Sequence, residues 1–342
     1  MTNKNMQVQL AQQPDGEPKT TDFKIATMDV PSPSDGEFLV RNIYLSLDPY
    51  MRGAISGRHM GHSRLNQGDV IGGRCVAQVM ESNNDQYKEG EYLVIESGWQ
   101  SYAISHGSSK DEIRKLDPNL APLSTALGVL GMPGLTAWAG VERLAKPSLG
   151  QTFVVTAATG PVGGTAGQLA KAIGCRAVGI AGSDEKCRIV VEEYGFDACI
   201  NYKNDDWENA LREACPNGID CYFDNVGGDI LDSITKQLNL YGKIIMCGLM
   251  SQYNRSNASD WHGHNMGPFV GKRANLLGLV VYDYYDQISD FIKVVGPLVA
   301  EGKVKFFEDR ANKLEHAPEH FVKLMNGKNV GKSMVTIAPE RI

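Results

Sequence analysis

The 342-residue sequence predicts an α/β protein of two domains, a β-rich one and one built on a doubly wound parallel sheet. Three observations carry that expectation. The chain is too long for one simple core. Its first part has short apolar runs cut by turn residues, the pattern of antiparallel strands. Its second part alternates apolar runs with segments of helical length, the pattern of parallel strands joined by helices.

In the first part the runs are Glu37-Phe38-Leu39-Val40, Arg74-Cys75-Val76-Ala77-Gln78-Val79 and Glu91-Tyr92-Leu93-Val94-Ile95. Asp35-Gly36, Gln67-Gly68-Asp69 and Lys88-Glu89-Gly90 separate them. In the second part strands are expected at 153–157, 177–181, 198–202, 220–224, 243–247 and 276–281, with helices over 168–173, 184–194, 204–214 and 229–238. The polar stretch from Ser251 to Pro268 reads as a long loop, and loops of that length are often functional. The tail from Gly302 to Ile342 reads as one helix and a strand, Ser333 to Ile337, returning to the first domain. The boundaries are placed at 1–125, completed by about 305–342, and 126–304.

Composition excludes several classes. A net charge of −6 and the lack of a long basic run argue against a nucleic-acid partner. No stretch approaches the ~20 apolar residues that span a bilayer. Met1-Thr2-Asn3-Lys4-Asn5 leads into polar sequence without an apolar signal core, so a cytoplasmic location is expected. The seven cysteines are odd in number and contain no Cys-x-x-Cys, which reads as buried small hydrophobes rather than a disulfide framework. Gly331-Lys332-Ser333 is not a phosphate loop, since the leading glycine of that motif would stand at Asn326.

The chemistry concentrates between Thr152 and Lys186. The strand over 153–157 meets Gly160-Pro161-Val162-Gly163-Gly164-Thr165-Ala166-Gly167, then a helix and a second strand. That is the layout of a dinucleotide site, in which glycines allow the tight turn, the approach of pyrophosphate to a helix N-terminus, and close packing of helix on sheet. Gly160, Gly163 and Gly167 fit those roles, and Ala158 stands where the strict fingerprint has its first glycine.

An NAD site carries an acidic residue at the end of the second strand. Here that strand ends in Ala181-Gly182-Ser183, and Lys186 and Arg188 follow, which suits a 2′-phosphate and hence NADP. Asp184 complicates the reading, although it could equally cap the next helix, and Lys186 and Arg188 could be exposed helix charges. His59, His62, His106 and Cys75 lack a spacing that compels zinc, so no metal is expected. A carbonyl would then be polarised by hydrogen bonds, with Tyr50 and Tyr253 the candidate donors, both in loops.

These motifs together resemble a known family. Ser46-Leu47-Asp48-Pro49-Tyr50-Met51-Arg52, Gly131-Met132-Pro133-Gly134-Leu135-Thr136-Ala137, Asp224-Asn225-Val226-Gly227-Gly228, the segment from Cys247 to Asn254, and Gly327-Lys328-Asn329-Val330-Gly331-Lys332 are similar to those of the zinc-independent medium-chain dehydrogenase/reductases. The likeness is to the group of prostaglandin reductases, plant double-bond reductases and bacterial curcumin-reductase-like proteins, over nearly the whole chain. It implies a GroES-like first domain, a Rossmann second domain with the cofactor in the cleft between them, and a homodimer. It also implies NADPH-dependent reduction of the carbon–carbon double bond of α,β-unsaturated ketones and aldehydes. NADPH quinone reduction, alcohol oxidation and non-catalytic NADPH binding are the alternatives.

By the same resemblance Gly160, Val162, Gly163, Gly182 and Ser183 belong to the cofactor site, and Lys186 and Tyr202 hold the 2′-phosphate. Asn225 and Asn329 match the nicotinamide half, Cys247 belongs to the cofactor site, and Met132, Pro133, Thr136, Leu279, Val280 and Val281 line the site. Tyr253 matches a tyrosine near the substrate carbonyl, and Tyr50 and Arg52 a substrate pocket. Trp138 replaces a smaller aromatic, which would narrow that pocket.

Overall fold

The computed structural model describes residues 4–108, 113–255 and 264–340. In chain order the first elements are β1 (Lys4–Leu10), β2 (Phe23–Asp29), β3 (Phe38–Ser46), α1 (Met51–Ile55), β4 (Arg74–Ser82), β5 (Tyr92–Glu96), β6 (Tyr102–Ser105) and β7 (Arg114–Leu116). There follow α2 (Met132–Ala139), β8 (Thr152–Thr156), α3 (Pro161–Ile173), β9 (Arg176–Ala181), α4 (Asp184–Glu192), β10 (Ala198–Asn201), α5 (Trp207–Ala214) and β11 (Ile219–Asp224). Next come α6 (Gly228–Gln237), β12 (Leu238–Met246), α7 (Gly267–Lys272), β13 (Asn275–Gly278) and α8 (Ile288–Ala300). The chain closes with β14 (Glu308–Asn312), α9 (Ala317–Met325) and β15 (Lys332–Thr336). Two compact units result, Met1–Leu127 with Glu308–Ile342, and Gly128–Phe307.

The first unit holds a sheet in the order β14-β15-β3-β4-β5-β7, with β6 also on β3, and a separate β1–β2 pair. All its neighbours are antiparallel except β14 and β15. Every residue of β3 is buried, so its side chains are apolar or paired on both faces. Strand β15 lies against β3, with Met334 opposite Ser46. Strand β14, Glu-Asp-Arg-Ala-Asn, was not legible in the sequence because it is an edge strand paired only with β15, and its charges suit an edge.

The second unit holds a wholly parallel sheet in the order β10-β9-β8-β11-β12-β13. Counted within the unit this is 3-2-1-4-5-6, the Rossmann order, whose direction reverses between β8 and β11. Val154, Val178, Ile180, Tyr222 and Ile244 of the sheet pack against Leu211, Ile230 and Ile234 of the helices. The sixth strand ends at Gly278, three residues short of the expectation, and Val281 opens a 3₁₀ turn to Gln287. The expected loop from Ser251 falls partly outside the described residues, and α7 begins at Gly267. Among the described residues no helix is long and apolar enough to cross a membrane.

Helix α3 starts at Pro161, seven residues before the expected start at Gln168. Three interior glycines (Gly163, Gly164, Gly167) had masked it, because glycine weakens an isolated helix. Packing reverses that preference. A Cβ at Gly167 would lie 1.9 Å from Phe196 Cζ, and one at Gly164 would lie 2.7 Å from Tyr194 Cε2. Gly167→Ala should therefore lower stability by roughly 1–3 kcal/mol, seen as a lower thermal midpoint, whereas Gly271→Ala, with open space around it and no left-handed backbone, should cost less.

Candidate active site

The ladder between β8 and β11 ends at Val155 opposite Phe223. Beyond that pair the strands part and their backbone groups need other partners. Thr156 and Asn225 supply them reciprocally. The Thr156 hydroxyl accepts from the Asn225 N–H at 2.9 Å, and the Thr156 carbonyl accepts from Asn225 Nδ2 at 2.8 Å. Asn225 is thereby fixed at the point where the strand order reverses, and Thr156, which sequence reasoning passed over, fixes it.

Asp224 finishes β11 with its carboxylate buried. One oxygen accepts from the N–H groups of Val226 (2.9 Å) and Gly227 (2.8 Å) and from the Tyr222 hydroxyl (2.8 Å). The other has no partner. Burial, outweighing these bonds, raises its pKa above the ordinary 3.8. These bonds close a turn in which Gly227 (φ +68°) and Gly228 (φ +66°) take conformations open to glycine.

The Asp224 carbonyl accepts from the N–H groups of Cys247 (2.9 Å) and Gly248 (3.1 Å), which brings the end of β12 alongside. Burial pushes the Cys247 thiol up to about 12. Ser251 bonds the Val226 carbonyl through both its N–H (3.1 Å) and its hydroxyl (2.6 Å). The loop so anchored carries Tyr253, whose hydroxyl accepts from the Leu249 N–H at 3.3 Å. A Cβ at Gly248 would stand 3.0 Å from the Asn225 carbonyl and 3.4 Å from that hydroxyl. Burial raises the Tyr253 pKa, so it remains a protonated donor. Gln252, not singled out from the sequence, has a buried Nε2 without a partner in the same loop.

The glycine turn differs from the expectation in one respect. Its left-handed residue is Ala157 (φ +53°), not Gly160, which caps α3 in an extended conformation. Ala158 fits where the fingerprint has glycine because Gly179 of β9 faces it, and a Cβ there would come within 2.8 Å of Ala158 Cβ. At Gly163 a Cβ would lie 2.6 Å from the Ala157 carbonyl oxygen. Pro161 opens the helix and has no N–H to leave unpaired, so Val162 and Gly163 present the first-turn N–H groups, a fit for pyrophosphate.

At the end of β9, Ser183 caps α4 by accepting from the Lys186 N–H at 3.3 Å. Asp184 is turned away, accepting from Asn201 Nδ2 at 2.8 Å. Arg188 pairs with Glu192 along its own helix at 2.9 Å. Gly182 lies under the Tyr202 ring, 3.3 Å from a Cβ built there, with Lys203 Cε at 3.6 Å. Lys203 is thus a cation beside Gly182 that the sequence pattern did not single out. A carboxylate-free strand end flanked by a half-exposed tyrosine and lysines suits a 2′-phosphate.

The remaining expected residues fall as follows. Met132 and Pro133 open α2, and Thr136 turns its hydroxyl back to the Met132 carbonyl at 2.8 Å. Leu279 is buried and donates its N–H to the Met246 carbonyl, with Val280 and Val281 next in chain. In the first unit Tyr50 precedes α1, and Asn329 donates from Nδ2 to the Gly331 carbonyl at 2.9 Å. The Arg52 guanidinium is buried on the carbonyls of Pro14 (3.0 Å) and Gly16 (2.9 Å) and the Ser56 hydroxyl (2.9 Å). Trp138 is buried against Phe291, with the Arg143 guanidinium 4.3 Å from its ring.

Among the described residues no group of three or more His, Cys, Asp or Glu side chains is placed to hold a metal ion. Cys75 is fully buried, its thiol pushed far up by burial and 3.4 Å from the Gly98 carbonyl.

The two units, a strand-end site of dinucleotide type and a β-rich partner, define an oxidoreductase architecture, and comparisons with known proteins agree. Residues 6–113 match the family model described as N-terminal domain of oxidoreductase, and residues 161–298 the one described as zinc-binding dehydrogenase. The NADPH-dependent curcumin reductase of Escherichia coli (strain K12) is 42% identical, covering 96% of both chains. The NADP-dependent 2-alkenal reductase of Nicotiana tabacum is 39% identical, covering 98% of both. The crystal structure of CurA in complex with NADPH from Vibrio vulnificus superposes with a TM-score of 0.92 at 38% identity, over 98% of this chain and all of that one. The chain belongs to the medium-chain dehydrogenase/reductases, in the group of the curcumin, alkenal and prostaglandin reductases.

Asp224 supplies a pH test. Its raised pKa means that it favours the fold fully only below the unfolded value of 3.8, and that this contribution is lost as pH rises through the folded value. Asp224→Asn keeps an acceptor for Val226 and Gly227 without the charge. Its stability relative to the parent should improve from pH 4 toward neutrality, by chemical denaturation at matched ionic strength.

Proposed function

We propose that this chain is an NADPH-dependent reductase of the carbon–carbon double bond in small α,β-unsaturated ketones and aldehydes. The observation that carries the reading is the junction of β8, β11 and β12, where Thr156 fixes Asn225 and the neighbouring loop presents Tyr253. Bound NADPH supplies the hydride that the β-carbon of the enone receives.

The residues divide the remaining work. Val162 and Gly163 donate N–H groups to the pyrophosphate, while Gly160, Gly182 and Ser183 leave the backbone open to the cofactor. Lys186, Tyr202 and Lys203 hold the 2′-phosphate. In the second unit Asn225, Cys247, Met132, Pro133, Thr136, Leu279, Val280 and Val281 form the surroundings of the nicotinamide, and Asn329 is the first unit's cofactor residue. The Tyr253 oxygen already accepts from Leu249 N–H, so its own proton is directed to another acceptor. That acceptor is the substrate carbonyl oxygen, where negative charge develops as the enolate forms. Tyr50 lines the substrate pocket. The chemistry proceeds without zinc, a reading supported by the buried, protonated Cys75.

A cytoplasmic homodimer completes the reading. Seven unpaired cysteines suit a reducing compartment. The half-exposed Leu276 of edge strand β13 suits pairing of that strand with a second copy.

NADPH consumption followed with a linear alkenal, a cyclic enone, an aryl dienone and a quinone tests the reaction class. Turnover of the enones is expected. Reduction of the quinone alone would make this a quinone reductase, and NADPH binding without any turnover would make it a binding protein. Tyr253→Phe should lower kcat roughly 10–100-fold, as loss of a hydrogen bond to a charged oxygen does. Lys186→Ala should raise KM for NADPH by a similar ~10–100-fold and leave that for NADH little changed.

A further inference from the structure

Residues 56–64 form a loop with a closed neck. Leu65 N–H donates to the Ile55 carbonyl at 3.2 Å, and Gln13 Nε2 bridges the carbonyls of Ile55 (3.2 Å) and Leu65 (2.7 Å). Above the neck, Gly57 (φ +66°) stands so close to Arg64 that a Cβ would lie 2.7 Å from its nitrogen. A turn in which the His62 N–H donates to the His59 carbonyl (3.2 Å) then folds the loop back. His59 is carried over α1, its Cβ 3.5 Å from a Cβ built at Gly53.

The loop thus brings two imidazoles onto Tyr50. Ring centroids are 4.8 Å apart for Tyr50 and His59, 5.8 Å for Tyr50 and His62, and 5.3 Å for His59 and His62. The planes are inclined by 32°, 44° and 43°, so the three rings form a tilted cluster rather than a closed stack. Burial, with the neighbouring His62 for His59 and Arg74 for His62, holds both imidazoles below their ordinary range, so both are neutral rings at neutral pH. Aromatic groups in such offset arrangements attract a further ring beyond simple area burial.

We propose that His59 and His62 are specificity determinants that act with Tyr50 to select enones conjugated to an aromatic ring over straight-chain alkenals. The proposal rests on the reading of Tyr50 as a residue of the substrate pocket. No covalent step is involved; the loop contributes ring contacts to a substrate whose reaction is unchanged.

The test compares benzylideneacetone with a straight-chain alkenal of similar size, in the parent, in His59→Ala/His62→Ala and in His59→Phe/His62→Phe. The alanine variant should lower the aryl-over-alkyl ratio of kcat/KM ~10-fold through KM, and the phenylalanine variant should restore it to within about twofold. Calorimetric binding of benzylacetone, which lacks the reducible bond, to the NADPH-loaded protein should weaken in the alanine variant alone. An unchanged ratio, an equal loss for both substrates, or failure of phenylalanine to rescue would overturn the proposal. If the parent reduces neither substrate, the reductase reading fails, and the calorimetric comparison still decides whether the rings bind an aryl group.

Discussion

The second unit depends on how two parallel strands separate. While β8 and β11 run together, each satisfies the other's backbone. Past Val155 and Phe223 they part, and unpaired N–H and C=O groups at a buried strand end would each cost about 1–3 kcal/mol. One threonine and one asparagine meet that cost with two bonds, the Asn225 N–H donating to the Thr156 hydroxyl and Asn225 Nδ2 to the Thr156 carbonyl. The same bonds hold Asn225 at the place in the sheet where strand order reverses.

Around that junction the sheet end is built from small residues and acceptor oxygens. Asp224 turns the chain sharply into Gly227 and Gly228, and its carbonyl gathers the start of the loop after β12. The neighbouring turn after β8 is tight enough to force Ala157 into a left-handed conformation, a strain of ~1–2 kcal/mol for a residue with a Cβ. The absent side chains of Gly163 and Gly179 keep helix, turn and second strand in close approach. Where the strict dinucleotide fingerprint has a glycine at position 158, this chain has Ala158, and Gly179 leaves the space for it.

In the first unit the organising feature is electrostatic. Lys332, from near the C-terminus, donates to the Leu47 carbonyl at 2.9 Å and to the Asp48 carboxylate at 2.6 Å, with both charged groups buried. Ser46 donates to the other carboxylate oxygen. A buried ion pair adds little net stability against an apolar substitute, but removing one partner costs ~3–5 kcal/mol. The pair therefore acts as a registration device between β15 and the segment that leads to Tyr50. It also accounts for Lys332 in Gly331-Lys332-Ser333, a run that looks like a phosphate loop and is not one.

The alternation of apolar runs and helical segments determined a parallel sheet with helices on both faces, because strands buried on both faces must be apolar whatever their neighbours. The residues Ala181-Gly182-Ser183 determined that no carboxylate stands at the end of the second strand, because that is a matter of residue identity. Strand β14 was hidden, since an edge strand has no need of apolar residues, and the start of α3 was hidden, since its glycines make sense only against Tyr194 and Phe196. The bonds of the Arg52 guanidinium to the carbonyls of Pro14 and Gly16 were hidden, since nothing in its chain neighbours announces them. The partners of Thr156, the approach of Lys203 to Gly182 and the placement of two imidazoles on Tyr50 were likewise decided only by tertiary structure. Each joins residues separated in the chain or folded together by a loop, and distance in space is a property that composition and local spacing do not carry.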